Sequence, residues 1–124
     1  MSIDELQELR IGFQGLQTLY QTYLPKADPL LINDLLVREQ ENDRPNASLS
    51  TSYYRVEILT NEGTESQRMS DVIHRKTGFL PLIHDNGTRY VLNMVLNLEL
   101  LRGICNSDES IIKVTGYYAG VNGK

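Results

Sequence analysis

The sequence predicts an α+β domain: two N-terminal helices packed on one face of an antiparallel sheet of about five strands joined as a meander. Three observations carry the prediction. Apolar residues recur at helical spacing near the N-terminus. Every even position from Tyr90 to Leu100 within Thr88–Arg102 is apolar, a period of two. Short alternating runs in the second half are separated by clusters of Gly, Asn, Asp and Ser. A chain of 124 residues suits one domain, 1–124, large enough to bury a core without cross-links.

The first helix, over about 2–24, starts at Ser2 with Glu5 three positions on, the pattern of a capping box. Ile3, Leu6, Leu9, Phe13, Leu16, Tyr20 and Tyr23 form one apolar stripe, and Glu, Gln and Arg occupy the opposite side. Gly12 and Gly15 weaken this helix by up to about 1 kcal/mol each, so they mark either a close approach to another backbone or simple tolerance. Leu24-Pro25 ends the helix. Asp28-Pro29 begins a second, over about 28–40, with a capping carboxylate and Pro at the first helical position. Leu31, Ile32, Leu35 and Leu36 supply its buried stripe. Residues 42–50 are polar and form a surface loop.

The sheet occupies about 52–119. Tyr53–Thr60 alternates Tyr54, Val56 and Ile58 against Tyr53, Arg55 and Glu57, as a strand with one wet face does. Asn61-Glu62-Gly63 is a turn. Residues 64–76 read as a returning strand, with a short helix capped by Ser70 as the alternative. Pro81 marks Phe79–Ile83 as an edge strand, because proline cannot donate to a central ladder. Asp85-Asn86-Gly87 is the strongest hairpin signal. It leads into the long central strand near 88–102, whose even positions from Tyr90 to Leu100 are apolar. A helix competes for this stretch, since Leu, Met and Glu favour helices, but it would need apolar contact nearly all round. A turn cluster at Gly103–Ser110 precedes a final strand, Ile111–Ala119.

Composition narrows the function classes. The net charge of −4 and the scatter of the 12 basic residues argue against a dedicated nucleic-acid binder. Arg68, His74, Arg75 and Lys76 make the nearest approach to a basic patch and read as solvated decoration of a hairpin. No apolar run is long enough for a membrane span. The acidic start, Met-Ser-Ile-Asp-Glu, is unlike a secretory signal, so the expected location is the cytoplasm or a virion. The lone Cys105 allows no internal disulfide. Asn46 and Asn86 match glycosylation acceptors, by chance if the chain is not secreted.

Neither His74 nor His84 has a ligand set around it, and no phosphate-cradling loop, nucleophile elbow or zinc pattern is present, so no metal, cofactor or catalytic residue is expected. The leading expectation is a non-enzymatic interaction or assembly protein, partnered with itself in a homo-oligomer. Small acidic α+β chains of this kind occur among phage tail and neck subunits and immunity proteins, an analogy of size and fold alone. Its binding residues would be the outward Tyr53 and Tyr117 together with Val91 and Val95, which make the second face of the long strand half apolar. The alternative is a small-molecule binder, or an enzyme of lyase or isomerase type, with a cone-shaped pocket lined by Glu57, His84, Asn93 and Asn97. Glu57 and Glu99 would lie mid-strand on the polar side.

Overall fold

Ser2 caps the first helix as its position predicts, its hydroxyl accepting from the Glu5 N–H at 3.2 Å, and α1 runs over Ile3–Tyr23. The computed structural model describes residues 2–42 and 52–121; the expected loop over 42–50 and the acceptor Asn46 lie almost wholly outside them. Leu24 ends α1 by donating its N–H to Tyr20 O. Asp28 then opens α2 (Pro29–Asn42), its carboxylate accepting from the Leu30 N–H at 3.1 Å. The turn between the helices is pinned to the sheet by two backbone bonds, Asp28 N–H to Val114 O at 2.9 Å and Val114 N–H to Lys26 O at 2.7 Å.

The remaining elements are β1 (Ser52–Thr60), α3 (Ser66–Thr77), β2 (Leu82–His84), β3 (Arg89–Val95), α4 (Leu98–Cys105) and β4 (Ile111–Val121). The sheet has four antiparallel strands in the order β2-β3-β1-β4. The α+β class therefore stands, but the meander does not. Only β2 and β3 pair as sequence neighbours, across the predicted Asp85-Asn86-Gly87 turn, where Asn86 takes φ 58°. Elsewhere a helix intervenes and β1 lies between later strands.

Two elements differ from the sequence reading. Residues 66–77 are helical because Met69, Ser70 and Ile73 present one buried side at helical spacing. Gly78 closes the helix at φ 84°, donating to His74 O. The long strand near 88–102 stops at Val95. Alternation holds through Leu96, but Asn97 then caps α4, its side chain accepting from the Leu100 N–H at 2.7 Å. Leu101, Ile104 and Cys105 supply the buried side of that helix. The Glu39 carboxylate of α2 accepts from the Leu98 N–H at 3.1 Å, a second cap from a residue 59 positions away.

The core lies between one sheet face and α2, α3 and α4. Tyr54, Val56 and Ile58 of β1, Tyr90, Leu92 and Met94 of β3 and Val114 of β4 meet Leu31, Ile32 and Leu35, Met69 and Ile73, and Leu101 and Ile104. Helix α1 stands at its predicted residues but buries none of them. Between β1 and β4 the register shifts at Leu59 and Thr60, which pair with Lys113 and Ile111. The shift leaves Ile112 unpaired and exposed while Ile111 is buried, so Ile112 does not share the inner face with Val114.

The loop before β4 is held by Asp108, whose carboxylate accepts from Arg68 of α3 and from the Ser110 N–H. The Arg68 bond is the largest cause that lowers the Asp108 pKa, from 3.8 to about 2. A carboxylate with a folded pKa below its unfolded value adds stability above the unfolded pKa and loses it as pH falls through the folded one. Asp108→Asn should therefore lose less stability between about pH 4 and pH 2 than the parent, as followed by urea unfolding at each pH. At Gly116 a Cβ would lie 2.8 Å from the Arg55 carbonyl oxygen on the neighbouring strand. Gly116→Ala should cost about 1–3 kcal/mol in the same assay, and an unchanged midpoint would mean that the strands separate without penalty.

Candidate interaction surfaces

The antiparallel register assembles the sheet face turned away from the helices. Side chains alternate along each strand, so the partners of inward residues fix what points outward. Tyr53 pairs with Val95, Arg55 with Asn93 and Tyr117, Glu57 with Val91 and Thr115, Leu82 with Val91, and His84 with Arg89. The four residues expected to bind, Tyr53, Tyr117, Val91 and Val95, thus share one face with Glu57, His84 and Asn93. Tyr117 is 58% exposed and Val95 40%, whereas Val91 is buried and lies outside the main core cluster.

This face is mixed in character. Arg89 donates to the Glu57 carboxylate at 2.5 Å across β1 and β3 and lies 3.9 Å from Asp85. Of the residues placed around a cone-shaped pocket, Glu57 is so paired, Asn93 and His84 are exposed, and Asn97 sits beyond the strand as the cap of α4. Asn97 borders two hollows, of about 670 and 800 Å³, without the other three. Glu99 lies exposed in the first turn of α4 rather than mid-strand. His74, Arg75 and Lys76 occupy the last turn of α3, not a hairpin, where the helix dipole favours positive charge. No group of His, Cys, Asp and Glu among the described residues has metal-binding geometry. Cys105 is buried in the core, and burial pushes its thiol pKa up to about 11, so it stays protonated and unreactive near neutrality.

A second surface was not singled out from the sequence. Every large apolar side chain on α1 except Tyr20 is exposed, from 40% at Leu6 to 76% at Ile3. Leu9, Gly12, Phe13, Leu16 and Tyr20 face a hollow of about 580 Å³ that Leu30 of α2 closes on one side. Nothing lies within 4 Å of where a Cβ would stand at Gly12 or Gly15, so no contact within the described chain accounts for either glycine. The signal was present in the spacing. Leu6, Leu9, Phe13, Leu16, Tyr20 and Tyr23 step by three, four, three, four and three, the spacing of a paired helix's seam, while Ile11 and Leu19 lie off that seam and are exposed as well.

A polar network also joins the core to the surface. The fully buried Tyr54 donates its hydroxyl to Asp34 at 2.5 Å, Arg38 pairs with Asp34 at 3.0 Å, and the Arg38 guanidinium lies 3.5 Å from the centre of the Tyr118 ring. Burial, followed by the Asp34 bond, raises the Tyr54 pKa well above its ordinary value, which keeps the hydroxyl a donor. The network fixes α2 over β1 and β4, and no buried side-chain nitrogen or oxygen among the described residues lacks a hydrogen-bond partner.

Comparison of the chain with protein-family models, with curated proteins and with solved structures gives no match. The fold and these surfaces accordingly define the chain as an α+β protein with a four-stranded antiparallel sheet covered on one face. None of its described helices is long and apolar enough to cross a membrane.

Tyr54→Phe removes the donor while keeping the ring, leaving Asp34 with Arg38 as its remaining partner. The expected loss is about 1–2 kcal/mol by chemical denaturation, and a neutral result would mean that Asp34 is fully satisfied by Arg38 and water.

Proposed function

We propose that the chain is a non-enzymatic interaction or assembly protein that acts as a subunit of a homo-oligomer. The observation that supports this reading most directly is α1, a helix of 21 residues with no buried side chain. Isolated helices are marginal in water and draw most of their stability from packing an apolar side, and two interior glycines weaken this one further. Its aligned leucines and aromatics are therefore suited to a surface that another molecule covers. The outward sheet face, with Tyr53, Tyr117 and two arginines among its residues, offers a second and more polar contact area.

Light scattering coupled to size exclusion, run from micromolar to millimolar chain, tests the reading. The expected mass exceeds the 14.1 kDa of one chain and rises with concentration. A constant monomer mass would overturn self-assembly.

A further inference from the structure

We infer that two copies associate through α1, paired antiparallel about a two-fold axis near Gln14 and Gly15. This deepens the assembly reading above and rests on it.

The spacing, size gradient, charge and reach of α1 select this partner and this direction. The seam from Leu6 to Tyr23 occupies alternate a and d heptad positions, the pattern that a second helix reads. Its side chains are graded in size, with leucines toward the N-terminus and tyrosines toward the C-terminus. An antiparallel partner converts that gradient into even layers: Leu6 meets Tyr23 of the second copy, Leu9 meets Tyr20, and Phe13 meets Leu16. Each layer then holds one leucine and one aromatic ring. A parallel pair would stack leucine on leucine at one end and tyrosine on tyrosine at the other, giving a seam of uneven width that cannot close along its length.

Charge points the same way. Asp4, Glu5 and Glu8 lie in the first half of α1, and no charged residue follows Arg10 within it. A parallel pair would bring two sets of three carboxylates together, whereas an antiparallel pair sets each acidic half beside an uncharged half and opposes the helix dipoles. Gly12 takes the g position beside the seam and borders the hollow, so its missing side chain lets the second backbone come close.

The area is also sufficient. A helix of 21 residues is about 31 Å long, and covering half its circumference buries on the order of 500 Å² per copy, or 1,000 Å² for the pair. That reaches the threshold of about 1,000 Å² for a specific interface before Leu30, which borders the hollow beside the seam, is added. Residues 43–51 do not supply an occupant, since Leu49 is their only large apolar side chain. The outward sheet face is the poorer candidate for the same role, because Arg55, Glu57 and Asn93 interrupt it.

Sedimentation equilibrium of the full chain and of Leu16→Glu tests the site. The expected parent is a dimer of 14.1 kDa chains, and Leu16→Glu should weaken it by about a hundredfold or more in Kd, since the substitution enters the interface twice. Leu16 is half exposed in the single chain, so circular dichroism of diluted Leu16→Glu should match that of the diluted parent and show that the fold is intact. Direction is read by oxidative cross-linking. Leu6→Cys mixed with Tyr23→Cys should yield linked heterodimers, whereas Leu6→Cys alone should not link to itself; the buried Cys105 stays out of the reaction. A dimer indifferent to Leu16→Glu, or Leu6→Cys linking to itself, would overturn the α1 pairing while leaving self-assembly standing. A strict monomer would overturn both.

Discussion

Everything in this molecule depends on a sheet whose two faces have different fates. The inner positions of β1, Tyr54, Val56 and Ile58, are fully buried, and each such side chain contributes on the order of 1.5–3 kcal/mol through loss of contact with water. Because β1 lies between β3 and β4, its inner residues are the ground on which α2, α3 and α4 all converge. Among the described residues no helix lies over the outer positions. They carry tyrosines, arginines, a glutamate and an asparagine, residues that tolerate water and also suit contact with another surface.

The helices are fixed to that inner face by polar devices as well as by burial. Tyr54, Asp34, Arg38 and Tyr118 lock α2 over β1 and β4, while Glu39 reaches the first turn of α4. Arg68 and Asp108 join α3 to the loop before β4. Each pairs a long-range contact with a directional bond, so helices that bury few residues still have defined positions. Helix α1 is held at its C-terminal end, where Tyr20 packs against the core and its hydroxyl donates to Asn33 at 3.4 Å, and no side chain along its length is buried among the described residues. The contrast between three anchored helices and one bare one is the structural basis for reading the chain as a subunit.

Local chemistry made a good part of this legible. The caps at Ser2 and Asp28, the helix limits around Leu24 and Pro29, the turn at Asn86-Gly87 and the alternation of Tyr53–Thr60 all follow from interactions spanning a few residues. Tyr53, Tyr117, Val91 and Val95 share one face for the same reason: a period of two determines which side a strand residue takes once its neighbour is known to be buried. The apolar stripe of α1 was legible too, but its spacing alone did not tell a core face from a seam awaiting another helix.

The α+β class, the two N-terminal helices, the inner face of β1 and β3 and the hairpin before β3 follow from the local pattern of residues. Tertiary structure decided the rest. Leu96, Leu98 and Leu100 continue the strand period, and the chain nevertheless turns into α4, where Asn97 and the distant Glu39 satisfy its first N–H groups. Strand order, the helical state of 66–77 and the exposure of α1 likewise rest on contacts between residues far apart in the chain. A hydrophobic pattern records that a side chain is to be covered; which element covers it is settled only when the whole chain has packed.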